Sequence, residues 1–181
     1  MTVIRTDRLT LRPWSLDDID ALTPIFADEA VWWFPFGGGL DHEATEQFVA
    51  RQISHQETHG FGLWAAELTA VHSLIGFVGL AVPTWLPEVM PAVEVGWRLH
   101  PDHWGQGLAT EAGRASVEYG LDRVGLDRII GIYDPRNGAS GRVMEKLGMR
   151  PWLRTTDPER GNELAVYELT REEWTGRLAS R

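Results

Sequence analysis

The sequence predicts a single mixed α/β domain over residues 1–181, a central sheet with flanking helices. Three observations carry this expectation. Strand-like and helix-like stretches follow a set order: hairpins first, then strand–helix–strand–helix, then another hairpin. The 181 residues contain no repeat, linker or low-complexity stretch and are enough for one core. The run His103-Trp104-Gly105-Gln106-Gly107-Leu108-Ala109-Thr110-Glu111-Ala112-Gly113 places two glycines between an apolar strand-like segment and an apolar-periodic helix.

Arg8 to Arg12 alternates polar and apolar residues and reads as a half-buried strand ended by Pro13. Ser15-Leu16-Asp17-Asp18 opens a helix, with Ser15 as N-cap and Asp18 close to a capping box. Leu16, Ile19, Leu22 and Phe26 give that helix its apolar face, and Pro24 is expected to shorten or kink it. Trp32-Trp33-Phe34-Pro35-Phe36-Gly37-Gly38-Gly39 reads as an aromatic, glycine-rich loop. A second helix runs from about Asp41 to His59 and ends near Gly60. Phe61 to Leu68 and Leu74 to Val82 form an antiparallel hairpin turning at Thr69 to Ser73. After a loop from Pro83 to Pro91 come a strand, Val93 to Leu99, and a helix, Leu108 to Leu121, with Leu108, Ala112, Ala115 and Tyr119 on one side. Arg128 to Tyr133 is a strand, and Asn137 to Leu147 a short helix closed by Gly148 as a left-handed cap. Trp152 to Arg154 and Leu164 to Leu169 make a closing hairpin, and a last helix starts at Thr170-Arg171-Glu172-Glu173-Trp174.

The absence of cysteine excludes disulfides, thiolate chemistry and most structural zinc sites. No metal site is expected; His55 and His59 stand four apart, but His55-Gln56-Glu57-Thr58-His59 is not the zinc-protease pattern and reads as a solvated helix face. No apolar run approaches the ~20 residues of a membrane helix, and the first residues lack a signal-peptide core, so a soluble, cytoplasmic protein is the simplest expectation. A net charge of −9 disfavours nucleic acid as a partner and mildly favours a cationic one.

The glycine turn is the most informative segment. A strand that passes through it into a helix leaves the first helical N–H groups unpaired. With the positive end of the helix dipole they form an anion site, and glycine lets a phosphate approach the backbone. Gly105-x-Gly107-x-x-Thr110 breaks the dinucleotide pattern at its third position and lies past the middle of the chain, behind a hairpin. There is no Gly-Lys-Ser/Thr, which excludes a P-loop nucleotidase.

Four stretches in order carry a resemblance: Thr6-Asp7-Arg8-Leu9-Thr10-Leu11-Arg12-Pro13; Glu94-Val95-Gly96-Trp97-Arg98-Leu99; Trp104-Gly105-Gln106-Gly107-Leu108-Ala109-Thr110-Glu111-Ala112; and Asn137-Gly138-Ala139-Ser140-Gly141-Arg142-Val143-Met144-Glu145-Lys146-Leu147-Gly148-Met149. Together they span nearly the whole chain. The sequence thereby resembles the Gcn5-related N-acetyltransferase superfamily, most of all its ribosomal-protein-alanine (RimJ/RimL-type) branch. One departure is Trp104, which stands where the superfamily often has Gln or Arg.

The resemblance implies a mostly antiparallel twisted sheet with one splayed parallel pair, Val93 to Leu99 beside Arg128 to Tyr133, opened by a bulge near Gly96 and Trp97. It implies acetyl-CoA as co-substrate. Its pantetheine arm would lie along Trp97, Arg98 and Leu99 with Asn137 positioning it. Its pyrophosphate would meet the loop from Trp104 through Gly105, Gln106, Gly107, Ala109 and Thr110. The acceptor amine would attack the thioester directly, with Glu94 as base. Relatives often carry a Tyr seven residues after the Asn that protonates the leaving thiolate; Met144 stands there, so Ser140 is the substitute expected. Trp33, Phe34, Phe36 and Trp85 are candidates for the acceptor pocket wall.

Plainer roles compete with these. Glu94 is also an ion-pair partner for Arg98, Asn137 also a helix N-cap, and Ser140 also a local hydrogen-bonding residue. A protein N-terminal amine is the first acceptor expected. The alternatives are a small amine (polyamine, amino acid or aminoglycoside) or a non-catalytic acyl-CoA-binding module. Oligomeric state stays open, a homodimer included.

Overall fold

Eight strands form one sheet in the order β1-β2-β3-β4-β5-β6-β8-β7, every neighbouring pair antiparallel except β5/β6. A computed structural model describes residues 2–178; for residues 34–36 and 178 it describes the backbone alone. The strands are β1 Ile4–Arg5, β2 Leu9–Arg12, β3 Leu63–Leu68, β4 Ser73–Ala81, β5 Glu94–Leu99, β6 Arg128–Tyr133, β7 Arg150–Thr156 and β8 Glu163–Thr170. The helices are α1 Ile19–Ala27, α2 Glu29–Phe36, α3 His42–His59, α4 Leu108–Glu118, α5 Gly138–Leu147 and α6 Arg171–Leu178.

Period-two alternation along the strands divides the core. Trp64, Ala66 and Val78 point to one face and pack with Leu108, Ala112 and Val117 of α4 and Met144 and Leu147 of α5. Ala65 and Phe77 point to the other and pack with Leu22, Phe26, Trp32 and Phe48 of α1, α2 and α3. Phe26, Trp32, Phe48 and Phe77 meet mostly edge to face, with centroids 4.8–6.4 Å apart.

The caps lie where residue chemistry puts them. Ser15 and Asp18 close a capping box around a 3-10 turn, Leu16–Asp18, that leads into α1. Asp41 caps α3, and Gly60 and Gly148 end α3 and α5 in the left-handed conformation. The helix expected at Leu108 to Leu121 is α-helical only to Glu118 and continues as a π turn, Tyr119–Val124. Pro24 does not break α1: it is exposed on the solvent side, where water can serve the Asp20 carbonyl that its missing N–H leaves.

Two expectations fail. The aromatic stretch from Trp32 is not a loop at its start: Asp28 accepts from the Ala30 N–H at 2.8 Å, opening α2, and the loop begins only at Gly37, a left-handed cap. These residues are poor helix formers; burial of Val31 and Trp32 overrides propensity. The β-bulge at Gly96 and Trp97 is absent: β4 and β5 pair continuously from Gly76↔Leu99 to Ala81↔Glu94. β5 and β6 nevertheless part, sharing a single bridge, Glu94↔Ile130, with the Ile130 N–H donating to the Val93 carbonyl at 2.9 Å. The opening therefore needs no inserted residue; β6 diverges from a regularly paired β5.

Candidate active site

The splay opens one continuous cleft of ≈760 Å³. Its two ends are built differently.

At one end the chain passes from β5 through a 3-10 turn, Pro101–His103, into the glycine turn and α4. Gly105 and Gly107 have φ of +72° and +81°, which only glycine adopts without strain. No side chain caps α4. Gly107, Leu108, Ala109 and Thr110, whose N–H groups are the first of α4, line the cleft, and a Cβ on Gly105 would meet nothing within 4 Å. The turn is held from behind. The Arg8 guanidinium donates to the Gln106 carbonyl at 2.9 Å and to Glu111 at 2.7 Å. Glu111 also accepts from the Thr6 hydroxyl and the Arg8 N–H, and these donors hold its carboxyl below the usual carboxylate range against the opposing effect of burial. The one acidic side chain of the first turn of α4 is thus turned to Arg8.

Trp104 is half exposed, lines the cleft and donates its indole N–H to the Leu99 carbonyl at 2.7 Å. Gln106 does not line the cleft: its amide donates to the Asp102 carbonyl at 2.9 Å. Two cations that sequence reading missed, Arg142 and Lys146 of α5, line it instead. Their positions on the α5 face were readable; their proximity to α4 was not.

At the splay point, Glu94, Gly96 and Arg98 alternate onto one face of β5, while Val95 and Leu99 enter the core on the other. Protein atoms surround the Glu94 carboxyl on most sides. Desolvation pushes its pKa up to about 8, against the opposing pull of the Arg98 charge and the Ile132 N–H. Desolvation likewise lowers Arg98 to about 10. The Arg98 side chain turns to α2, which leaves the backbone contact expected of Arg98 untouched. Its guanidinium lies 4.0 Å over the Trp32 ring and donates to the Val31 carbonyl at 2.6 Å. The regular helical donor to that carbonyl would be residue 35, a proline without an N–H. Arg98 fills that vacancy and ties α2 to β5.

Across the splay stands the start of α5. Asn137 is its N-cap, accepting from the Ser140 N–H at 3.2 Å. Ser140 is half buried and lines the cleft, and among the described residues its hydroxyl has no hydrogen-bond partner. Met144 is buried with its Cε and Sδ against the backbone of Gly131. Tyr133, at the end of β6, lines the cleft with its ring against Gly141; burial and Tyr167 push its pKa up to about 12. It is a further candidate, signalled only by its place at the C-terminal end of a parallel strand. Trp33 and Trp85 line the far end, both about two-fifths exposed, with the Arg136 guanidinium 5.6 Å from the Trp33 ring. The side chains of Phe34 and Phe36 lie outside the described residues. Of the expected site residues, the cleft therefore gathers Glu94, Trp97, Arg98, Leu99, Trp104, Gly105, Gly107, Ala109, Thr110, Asn137, Ser140, Trp33 and Trp85, but not Gln106.

Residues 8–150 match the family model described as an acetyltransferase (GNAT) domain. An uncharacterized N-acetyltransferase, YnaD of Bacillus subtilis, is 40% identical over 176 residues, covering 94% of this chain and 98% of its own. The crystal structure of an acetyltransferase (GNAT family) from Bacillus anthracis superposes with a TM-score of 0.81 at 26% identity, over 95% of this chain and 100% of that one. A ribosomal L7/L12 alpha-N-protein acetyltransferase, RimL, solved in complex with coenzyme A, shares the fold with a TM-score of 0.79 at 15% identity, over 95% and 99% of the two chains.

Proposed function

We propose, from the premise that the chain belongs to the GNAT acetyltransferase family and is an acyltransferase, that this cleft moves the acetyl group of acetyl-CoA to a primary amine by direct attack, with Glu94 as the base. The observation that carries this reading is the position of Glu94: a desolvated carboxyl at the one bridge between two strands that part beside a glycine-flanked helix start.

The residues present fit coenzyme A. The uncapped N–H groups from Gly107 to Thr110 and the open space at Gly105 suit a diphosphate, and Arg142 and Lys146 add charge. Beyond Glu94 the β6-facing edge of β5 is free for the pantetheine arm to join as an added strand. Acetyl-CoA supplies an acyl group activated as a thioester.

The chain's own residues then manage protons. A free amine has a pKa of ~8 to ~10 and arrives mostly charged. Glu94, raised to about 8, is matched to it, so proton transfer is nearly even in energy. Glu94 first takes one proton from the ammonium, which frees the nitrogen lone pair. As the nitrogen–carbonyl bond forms and the carbon–sulfur bond breaks, the second nitrogen proton passes to the departing sulfur, which the Ser140 hydroxyl hydrogen-bonds, so that the amide, the coenzyme A thiol and protonated Glu94 remain. A backbone N–H of the splayed strand stabilises the oxyanion.

A protein N-terminus is the acceptor suggested by the branch the sequence resembles and by structural neighbours named ribosomal-protein acetyltransferases, which share the fold at 15–18% identity. The second reading, a small-molecule amine, is favoured by the enclosure of Glu94 and Arg98 at the cleft floor. Release of coenzyme A thiol, followed over a panel of peptides and small amines, tests both. Turnover of peptide N-termini alone supports the first, and turnover of small amines alone the second. Acetyl-CoA binding without turnover of any amine contradicts acetyl transfer.

A further inference from the structure

We propose that His55, which lies outside the cleft lining, is a positioning residue for the acetyltransfer site: its neutral imidazole pins the end of β4 beside Glu94, and protonation of the ring frees it. This rests on the acetyltransfer reading above. The expectation of a solvated helix face fails for His55, which is half-buried with both ring nitrogens engaged.

The ring stands where a strand has run out. β3 and β4 pair as far as Leu63↔Gly79, and the Leu80 N–H still reaches the Gly62 carbonyl at 2.9 Å. In that antiparallel register the Val82 N–H would next look to the Gly60 carbonyl. Gly60, however, is the left-handed cap of α3, and its carbonyl accepts from the Tyr119 hydroxyl at 3.2 Å. The imidazole fills the gap: Nε2 accepts from the Val82 N–H at 3.2 Å, and Nδ1 donates to the Phe61 carbonyl at 3.1 Å. A backbone N–H can only donate and a carbonyl can only accept. The two partners therefore fix one species, the neutral ring with its proton on Nδ1.

Two walls of the acceptor end are thereby joined from behind. Ala81, next to Val82, is paired with Glu94, and Ala81, Val82, Pro83 and Trp85 line the cleft. Arg51 and Gln52, one turn before His55 on α3, line it from the other side. Protonation puts an N–H on Nε2 against the Val82 N–H, donor facing donor, so this bond does not survive charging of the ring. The segments 60–62 and 82–83 bring no ionisable side chain. Arg51 stands one turn back on α3, Tyr119 reaches Gly60, and Glu94 lies opposite Ala81. Among the described residues it is His59, its ring centroid 4.4 Å away, whose charge acts on the ring, and it opposes protonation. Burial opposes it more strongly, against the pull of the Phe61 carbonyl, so the ring charges only below the ordinary histidine value of 6.5.

Three readouts on the full chain test this between about pH 5 and 8. They are the nitrogen-15 shifts of the His55 ring together with the Val82 amide shift, the KM of whichever amine in the panel above has the highest kcat/KM, and calorimetry with coenzyme A. The ring should carry its proton on Nδ1 at neutral pH, and the Val82 amide should move in step with the ring's titration. As the ring charges, the wild-type acceptor KM should rise about threefold to tenfold while coenzyme A affinity stays within about twofold. His55→Gln offers an amide oxygen to the Val82 N–H but does not titrate, so it should keep the neutral-pH KM and lose that rise. His55→Leu should show the raised KM at every pH; if it fails to fold, wild type against His55→Gln decides. A proton on Nε2 at neutral pH, a Val82 amide indifferent to the ring, or the same KM rise in wild type and His55→Gln overturns the proposal and leaves acetyl transfer standing. Absence of turnover with every amine sinks acetyl transfer and the assignment to it, while the ring and Val82 shifts still decide the clamp.

Discussion

The two ends of the cleft are made of different material. The end proposed for the coenzyme is backbone: two left-handed glycines, an uncapped helix and a strand edge that leaves its neighbour after one bridge. The end proposed for the acceptor is side chain: the Trp32 and Trp33 rings and Arg51, carried by helices, and Arg98 of β5. A backbone site depends on a few conformations and tolerates change elsewhere. A side-chain site is retuned by single substitutions. This division would let one architecture keep its coenzyme while its acceptor changes. It also predicts that changes at one end leave the other end's binding constant alone.

The largest effect is expected at the junction. Glu94→Gln should lower kcat by about 10²–10⁴-fold while acetyl-CoA affinity stays within about twofold, measured by thiol release and calorimetry. An unchanged kcat removes Glu94 as base. With wild type, kcat/KM should rise with pH and level off above about 8, because the ionised carboxylate is the active form and desolvation has raised its pKa. The linked stability has the opposite sign. Between the unfolded carboxylate value of 4.5 and about 8, the folded state holds a proton the unfolded state has lost, so stability falls as pH rises through that window. Glu94→Gln should flatten that fall in denaturant titrations at several pH values.

Next is the backbone end. Gly107→Val forces a β-branched residue to φ near +81°, at a cost of about 1–3 kcal/mol. Acetyl-CoA affinity should fall at least about fivefold with acceptor affinity unaltered. A loss of both would erase the division between the ends. Ser140→Ala should raise the chemical barrier by about 1–3 kcal/mol at unchanged acetyl-CoA affinity. The smallest effect belongs to the strut that ties α2 to β5. Arg98→Met leaves the Val31 carbonyl without its donor, costing about 1–3 kcal/mol and lowering the melting temperature by several degrees.

The same division governs how much the sequence reveals. Where residue type dictates a dihedral angle or a missing donor, reading succeeds: α5 runs between Asn137 and Gly148 as expected, β6 occupies Arg128–Tyr133, and the glycine turn opens an uncapped helix. Where a partner distant in sequence decides, reading fails. α2 is helical because its apolar side packs on α1, α3 and Phe77 and because Arg98 serves the carbonyl that Pro35 cannot. Gln106 turns away because Asp102 and Arg8 claim it. Arg142 and Lys146 matter only once α5 lies beside the cleft. The closing hairpin is longer than its apolar centre suggests, since exposed Arg150, Pro151 and Thr156 and half-buried Thr155 carry no apolar signal, yet pair with β8. The parting of β5 and β6 was foreseen but attributed to a bulge; regular pairing with β4 shows that a strand can be left half unpaired without one.

Everything at the coenzyme end depends on whether the N–H groups from Gly107 to Thr110 grip a diphosphate. Titration calorimetry with coenzyme A and with pantetheine, which has the same arm without phosphates, asks this directly. The account predicts that coenzyme A binds at least about a hundredfold more tightly and that Gly107→Val removes most of that difference. Equal affinity for the two, or no heat of association with coenzyme A, would contradict it.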